Sequence, residues 1–203
     1  LMGVLTHWLP VLLLGVLATS AEVGVFAIAL RVITLAGFVL MAVNVMAAPQ
    51  FAELYHQREA GHLARLVRHA SKLTKLLAIP LLIVLLAVPH LVLRLFGEGF
   101  VEGVTVLRVM AVGYAINLVT GSVGTLLVMS GHERTMQYLT LLATGVLAVG
   151  CLVLIPALGV LGAAVAASVA MALQNGLAAW WVWRVFRINP LFFLPTPEPS
   201  LPD

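Results

Sequence analysis

The residue whose chemistry asks most of its surroundings is Arg31, set in the apolar run Val25-Phe26-Ala27-Ile28-Ala29-Leu30-Arg31-Val32. A guanidinium among such neighbours in a bilayer costs about 2.5–3.5 kcal/mol on insertion scales, so it normally faces a bundle interior or an aqueous cavity. Its planar donor fork matches phosphate oxygens. Two readings stand side by side: a cavity-facing anion site, or a side chain that snorkels to the interface or pairs with Glu22. Asn44, Asn117 and Asn175, with Gln174 beside the last, also lie among apolar residues. There an amide needs an interhelical partner or a wet cavity, and the three asparagines join Arg31 as candidate substrate contacts. His132-Glu133-Arg134 brings a base and an acid together, but between two apolar runs, where the triplet reads as a charged turn. No G-x-x-x-x-G-K-[ST] loop, G-x-S-x-G elbow or H-E-x-x-H helix occurs. The single Cys151 allows neither an intrachain disulfide nor a cysteine-rich metal site. The chain is therefore expected to be no enzyme, with no catalytic residue, metal or cofactor.

The elements that must position these groups follow from where charge is missing. Hydrophobic residues make up 62% of the chain and charged ones only 9%, against about 25% charged in a soluble domain. Charge-free stretches run over 1–21, 32–52, 76–93, 109–132 and 135–183. The first four each approach the roughly 20 residues that cross a bilayer core, and the fifth is long enough for two crossings. Pro156-Ala157-Leu158-Gly159 divides that fifth stretch. The expected fold is an all-α integral membrane lobe over 1–187. Its spans are predicted at about 2–18, 23–48, 74–96, 102–129, 135–156 and 159–184, with end errors of a few residues. Leu1, with no basic flank before it, reads as an internal start.

The one long connection carries Arg58, Arg65, Arg68, Lys72 and Lys75, which fall on one helical face about 100° wide. Leu63, Leu66, Val67, Ala70, Leu73 and Leu77 occupy the other side. The pattern predicts an amphipathic connector over 58–73 with its apolar face in the membrane interface and its basic residues against lipid headgroups. Arg134, Arg184 and Arg187 add to the positive charge at the same end, whereas Arg94 and Arg108 flank a loop containing Glu98 and Glu102. The excess of Lys and Arg places both chain ends and the connector in the cytoplasm. From 188 to 203, Pro190, Pro195, Pro197, Pro199 and Pro202 predict an extended cytoplasmic tail.

Three segments carry a family resemblance. They are Glu22-Val23-Gly24-Val25-Phe26-Ala27-Ile28-Ala29-Leu30-Arg31 with Ala48-Pro49 and Tyr55; Leu95-Phe96-Gly97-Glu98-Gly99-Phe100 with Val106-Leu107-Arg108 and Ser130-Gly131; and the run from Ile155 to Ala166. In order and spacing they resemble the C-terminal half of the multidrug, oligosaccharidyl-lipid and polysaccharide exporter superfamily, and within it the O-antigen and exopolysaccharide flippases. The resemblance implies one lobe of a two-lobe transporter of about 12 to 14 helices built from internal repeats. It also implies translocation of a polyprenyl-diphosphate-linked oligosaccharide across the bacterial inner membrane by alternating access. Arg31 would then hold the lipid diphosphate. The implied partners are membrane lipids, the lipid-linked glycan and an N-terminal lobe of the same protein, with no nucleic acid. A cation-coupled multidrug exporter of the same fold stays open as an alternative, although Glu22, Glu53, Glu98, Glu102 and Glu133 all map to span ends or loops. A non-transport membrane subunit of a glycan assembly complex stays open too.

Overall fold

The computed structural model describes residues 2–188; apart from Ile188, the Pro-rich tail read over 188–203 lies outside the described residues. Eight α-helices and a short 3-10 turn account for the described chain, with no strand among the described residues. They are α1 (Met2–Leu17), α2 (Ser20–His56), α3 (Ala60–Ala87), α4 (Pro89–Arg94), the 3-10 turn Glu98–Gly103, α5 (Val104–Thr120), α6 (Val123–Met129), α7 (Glu133–Leu158) and α8 (Val160–Phe186). Five segments are long and apolar enough to cross a membrane: Ser20–His56, Ala60–Ala87, Glu98–Thr120, Glu133–Leu158 and Val160–Phe186. These five make the chain a multi-pass membrane protein by length and composition. The first expected span is the shorter case, with an apolar stretch of Thr6–Leu17.

Several boundaries differ from those expected, each for a local reason. α2 does not stop near residue 48 but runs through Pro49 to His56, for 37 residues in all. At 1.5 Å per residue it is about 55 Å long, so it overreaches a hydrocarbon core of about 30 Å. The connector and the third span are one rod, because nothing between Ala60 and Ala87 ends the helix. Arg58 is off that rod: it has φ of +56° in the turn between α2 and α3. The third span ends instead at Val88, and Pro89 opens α4, where a missing amide proton costs nothing. The fourth span is broken at Gly121 and Ser122 between α5 and α6. Gly121 there has φ 66° and ψ −134°, a conformation that side chains beyond glycine resist. Gly159 turns α7 into α8 with nearly the same angles, φ 57° and ψ −135°, while Pro156 stays inside α7.

Apolar cores lie at both ends of the bundle, with a smaller one of Ala36, Leu40, Ala78, Leu82 and Leu118 between them. At the Glu22 end, Phe26, Ala29 and Ile33 of α2 meet Leu107 and Ala111 of α5, Cys151 and Ile155 of α7, and the small residues Ala163, Ala164 and Ala166 of α8. At the opposite end, Phe51 of α2 packs with Leu63 and Val67 of α3, Leu126 of α6 and Val182 and Phe186 of α8. The apolar side of the connector is thus spent largely inside the protein. Leu63, Val67 and Ala70 are buried, and only Leu73 and Leu77 of the expected apolar face are exposed. Around the outside, Phe38, Met41, Val45, Met46, Ile83, Val149, Leu152 and Val153 are exposed. A surface this apolar needs lipid rather than water against it.

Candidate functional site

Small residues bring the helices close at the Glu22 end and let them part toward the middle. A Cβ on Gly113 of α5 would stand 2.5 Å from Cβ of Ser168 on α8, and the Ser168 hydroxyl donates to the Val109 carbonyl at 3.0 Å. One on Gly150 of α7 would stand 3.0 Å from Cβ of Ala166. On the other side of α5, the Tyr114 hydroxyl fills the space where a Gly37 side chain would lie. A cavity of about 540 Å³ opens among α1, α2, α5, α6, α7 and α8, its α8 wall running from Ala167 and Ala170 to Met171, Gln174 and Asn175.

The cavity brings together Asn44 of α2, Asn117 of α5 and Asn175 of α8, three of the four candidate substrate residues, and adds Gln174. Its volume lies within the roughly 300–1,000 Å³ usual for small-molecule sites. The lining contains no Asp, Glu, Lys or Arg among the described residues. Hydrogen bonds hold several of the polar walls in place. The Gln174 amino group donates to Oγ1 of Thr140 on α7 at 3.0 Å, and that hydroxyl donates onward to the Met136 carbonyl at 2.8 Å. The Asn175 amino group donates to the Met171 carbonyl at 2.9 Å. Thr6 and Thr144 join hydroxyls across α1 and α7 at 2.6 Å. The Thr144 hydroxyl also reaches the Thr140 carbonyl at 2.8 Å. Asn44 is the exception: its carbonyl oxygen is buried and has no donor among the described residues. An orphaned buried acceptor costs about 1–3 kcal/mol, and a ligand hydroxyl or a water would remove that cost.

Arg31 is not among the residues that line this space. It lies on a neighbouring cavity of about 400 Å³ with Trp8, Val11, Ala27, Ile28 and Thr34. His7 of α1 and Leu30 of α2 line both cavities and so stand between them. The side chain of Arg31 is exposed. The alternative pairing with Glu22 does not form, because the Glu22 carboxylate is engaged at the helix end. It accepts from the Thr19 amide and from the Thr19 hydroxyl, each at 2.9 Å.

The remaining sequence candidates lie elsewhere. Arg65 and Lys72 are exposed on α3, whereas Arg68 and Lys75 are half-buried. His132 caps α7 and is packed among Tyr55, Trp181 and Phe186, with ring centroids 4.8–6.4 Å away; its Nδ1 is 3.2 Å from the Ser130 hydroxyl. Sequence reasoning passed over Thr6, His7, Thr125 and Thr140. Thr6 and His7 were open to detection as polar residues inside a charge-free stretch, but no periodicity shows that Thr140 would meet Gln174. No protein-family model, curated protein or solved structure matches the chain.

Proposed function

We propose that this chain is one lobe of a two-lobe transporter that moves a polyprenyl-diphosphate-linked oligosaccharide across the bacterial inner membrane by alternating access. Both ends and the turn between α2 and α3 are cytoplasmic in this reading, in keeping with the Lys and Arg excess there. The observation that carries it is the amide-walled cavity of about 540 Å³ inside an apolar bundle. Each amide offers both donors and an acceptor, which suits a hydroxyl-rich, uncharged sugar. A lipophilic cation would instead favour a carboxylate, and the cavity walls supply none among the described residues. Arg31, on the adjoining cavity, supplies the fork for the diphosphate, so that sugar and phosphate occupy neighbouring spaces divided by His7 and Leu30.

A flip assay tests this. The chain, assembled with its proposed N-terminal lobe, is reconstituted into liposomes carrying a fluorescent polyprenyl-diphosphate oligosaccharide. Asn44→Leu and Gln174→Leu are expected to slow translocation about tenfold, a loss of ~1.4 kcal/mol, at equal incorporation. Asn44→Leu should not lower the melting temperature, because it removes an unpartnered acceptor. Unchanged translocation in both variants would overturn the cavity as the sugar site. Movement of cationic dyes with no glycan movement would favour the multidrug exporter.

A further inference from the structure

α2 and α3 pack antiparallel, with Ala36 and Leu40 beside Ala78 and Leu82 in the middle and Ala47 and Phe51 beside Ala64 and Val67 nearer the turn. Between them lies an outward-facing groove of about 380 Å³, separate from the central cavity. Leu66, Leu73 and Leu76 of α3 face Val43 and Met46 of α2 across it, and its surface is almost wholly apolar, with Gln50, His69 and Lys72 at its edges. Met46, Leu73 and Leu76 are exposed, so the groove opens to the membrane rather than to the protein interior.

Charge marks what enters it. Lys72 is exposed, and its basic neighbours Arg65, Arg68, His69 and Lys75 share the same stretch of α3. The Nδ1 of His69 meets the Arg65 carbonyl at 2.8 Å. A carbonyl can only accept, so the proton sits on Nδ1 and Nε2 remains for another partner. The Gln50 amino group is engaged by the Met46 carbonyl at 3.0 Å. An apolar trough with the exposed Lys72 ammonium at its rim is complementary to a molecule with an acyl chain and an anionic head.

We propose that the groove between α2 and α3 binds an anionic phospholipid, one acyl chain lying against Val43, Met46, Leu73 and Leu76 and the phosphate meeting Lys72. The site is independent of the transport reading, because it lies outside the central cavity and uses none of its residues. The lipid reaches it laterally from the bilayer, and its headgroup ties the basic half of α3 to the membrane surface.

Native mass spectrometry of the purified full chain tests this with phosphatidylglycerol, phosphatidylcholine and glycerol 3-phosphate as probes. Phosphatidylglycerol should be retained over phosphatidylcholine. Lys72→Gln should cut that preference about fivefold, the equivalent of ~1 kcal/mol per basic residue at an anionic surface. Lys72→Arg should keep it. Arg134→Gln makes the same charge change at the same end of the bundle, on exposed α7 surface away from the groove, and should leave the preference intact. Equal losses in Lys72→Gln and Arg134→Gln would overturn the site in favour of a diffuse surface charge. Displacement of the lipid by equimolar glycerol 3-phosphate would overturn the role of the acyl chain.

Discussion

The Glu22 carboxylate at the start of α2 fills the space beside Gly159, the turn into α8, where a Cβ would collide with Oε1. The same carboxylate closes a capping box with Thr19 at a helix N-terminus, where negative charge is favoured. Gly159→Ala is therefore expected to destabilise the lobe twice over. The backbone conformation alone costs about 1–3 kcal/mol without glycine, and the carboxylate is displaced besides. Glu22→Ala should cost about 1 kcal/mol as a lost cap. Thermal unfolding in detergent should show the two substitutions to be non-additive, since they share one contact; strict additivity would refute the shared contact.

The crossing of α5 and α8 at Gly113 and Ser168 yields a second prediction. Gly113→Ala places a methyl 2.7 Å from the Ser168 Cα, and backbone cannot swing aside as a side chain can. Ser168→Ala loses only the bond to the Val109 carbonyl, worth about 0.6 kcal/mol in a membrane bundle. Gly113→Ala should lower the melting temperature more than Ser168→Ala. The reverse order would show that the helices separate freely there.

Arg31 lies about 16 Å along α2 from Ser20, with no ion pair to another described residue. In the assembled transporter, Arg31→Ala should abolish glycan movement at normal protein levels, and Arg31→Lys should retain part of it, since charge survives and the fork does not. Normal movement by Arg31→Ala would remove the diphosphate assignment and leave the amide cavity standing.

Topology is checked by single cysteines at Arg65 and Glu98 in a Cys151→Ala background, in intact cells. A membrane-impermeant thiol reagent should label position 98 and not position 65. Arg65 lies near the turn between α2 and α3, and Glu98 opens the 3-10 turn that packs beside Glu22 at the other end of the bundle. Labelling of position 65 from outside would invert the orientation inferred from charge.

Much of the frame was legible locally. Charge-free stretches of about 20 residues revealed the membrane character, and the break near Gly159 was signalled within three residues of Pro156. The continuity of α3 was not legible, because a change from amphipathic to uniformly apolar sequence looks like a boundary although no residue there stops a helix. Arg58 belonged to the basic stripe by spacing and to a turn in fact, since spacing assumes the helix it is used to infer. Composition and run length depend on each residue alone, so the sequence by itself determined that the chain is a helical membrane protein and which polar residues are costly in it. Which of those residues meet was decided only by tertiary structure. Leu30 and Arg31 are neighbours in sequence but about 100° apart around the helix. The packing of α1 against α2 therefore sets Leu30 between the cavity of Asn44, Asn117 and Asn175 and the adjoining one, and leaves Arg31 on the adjoining one alone.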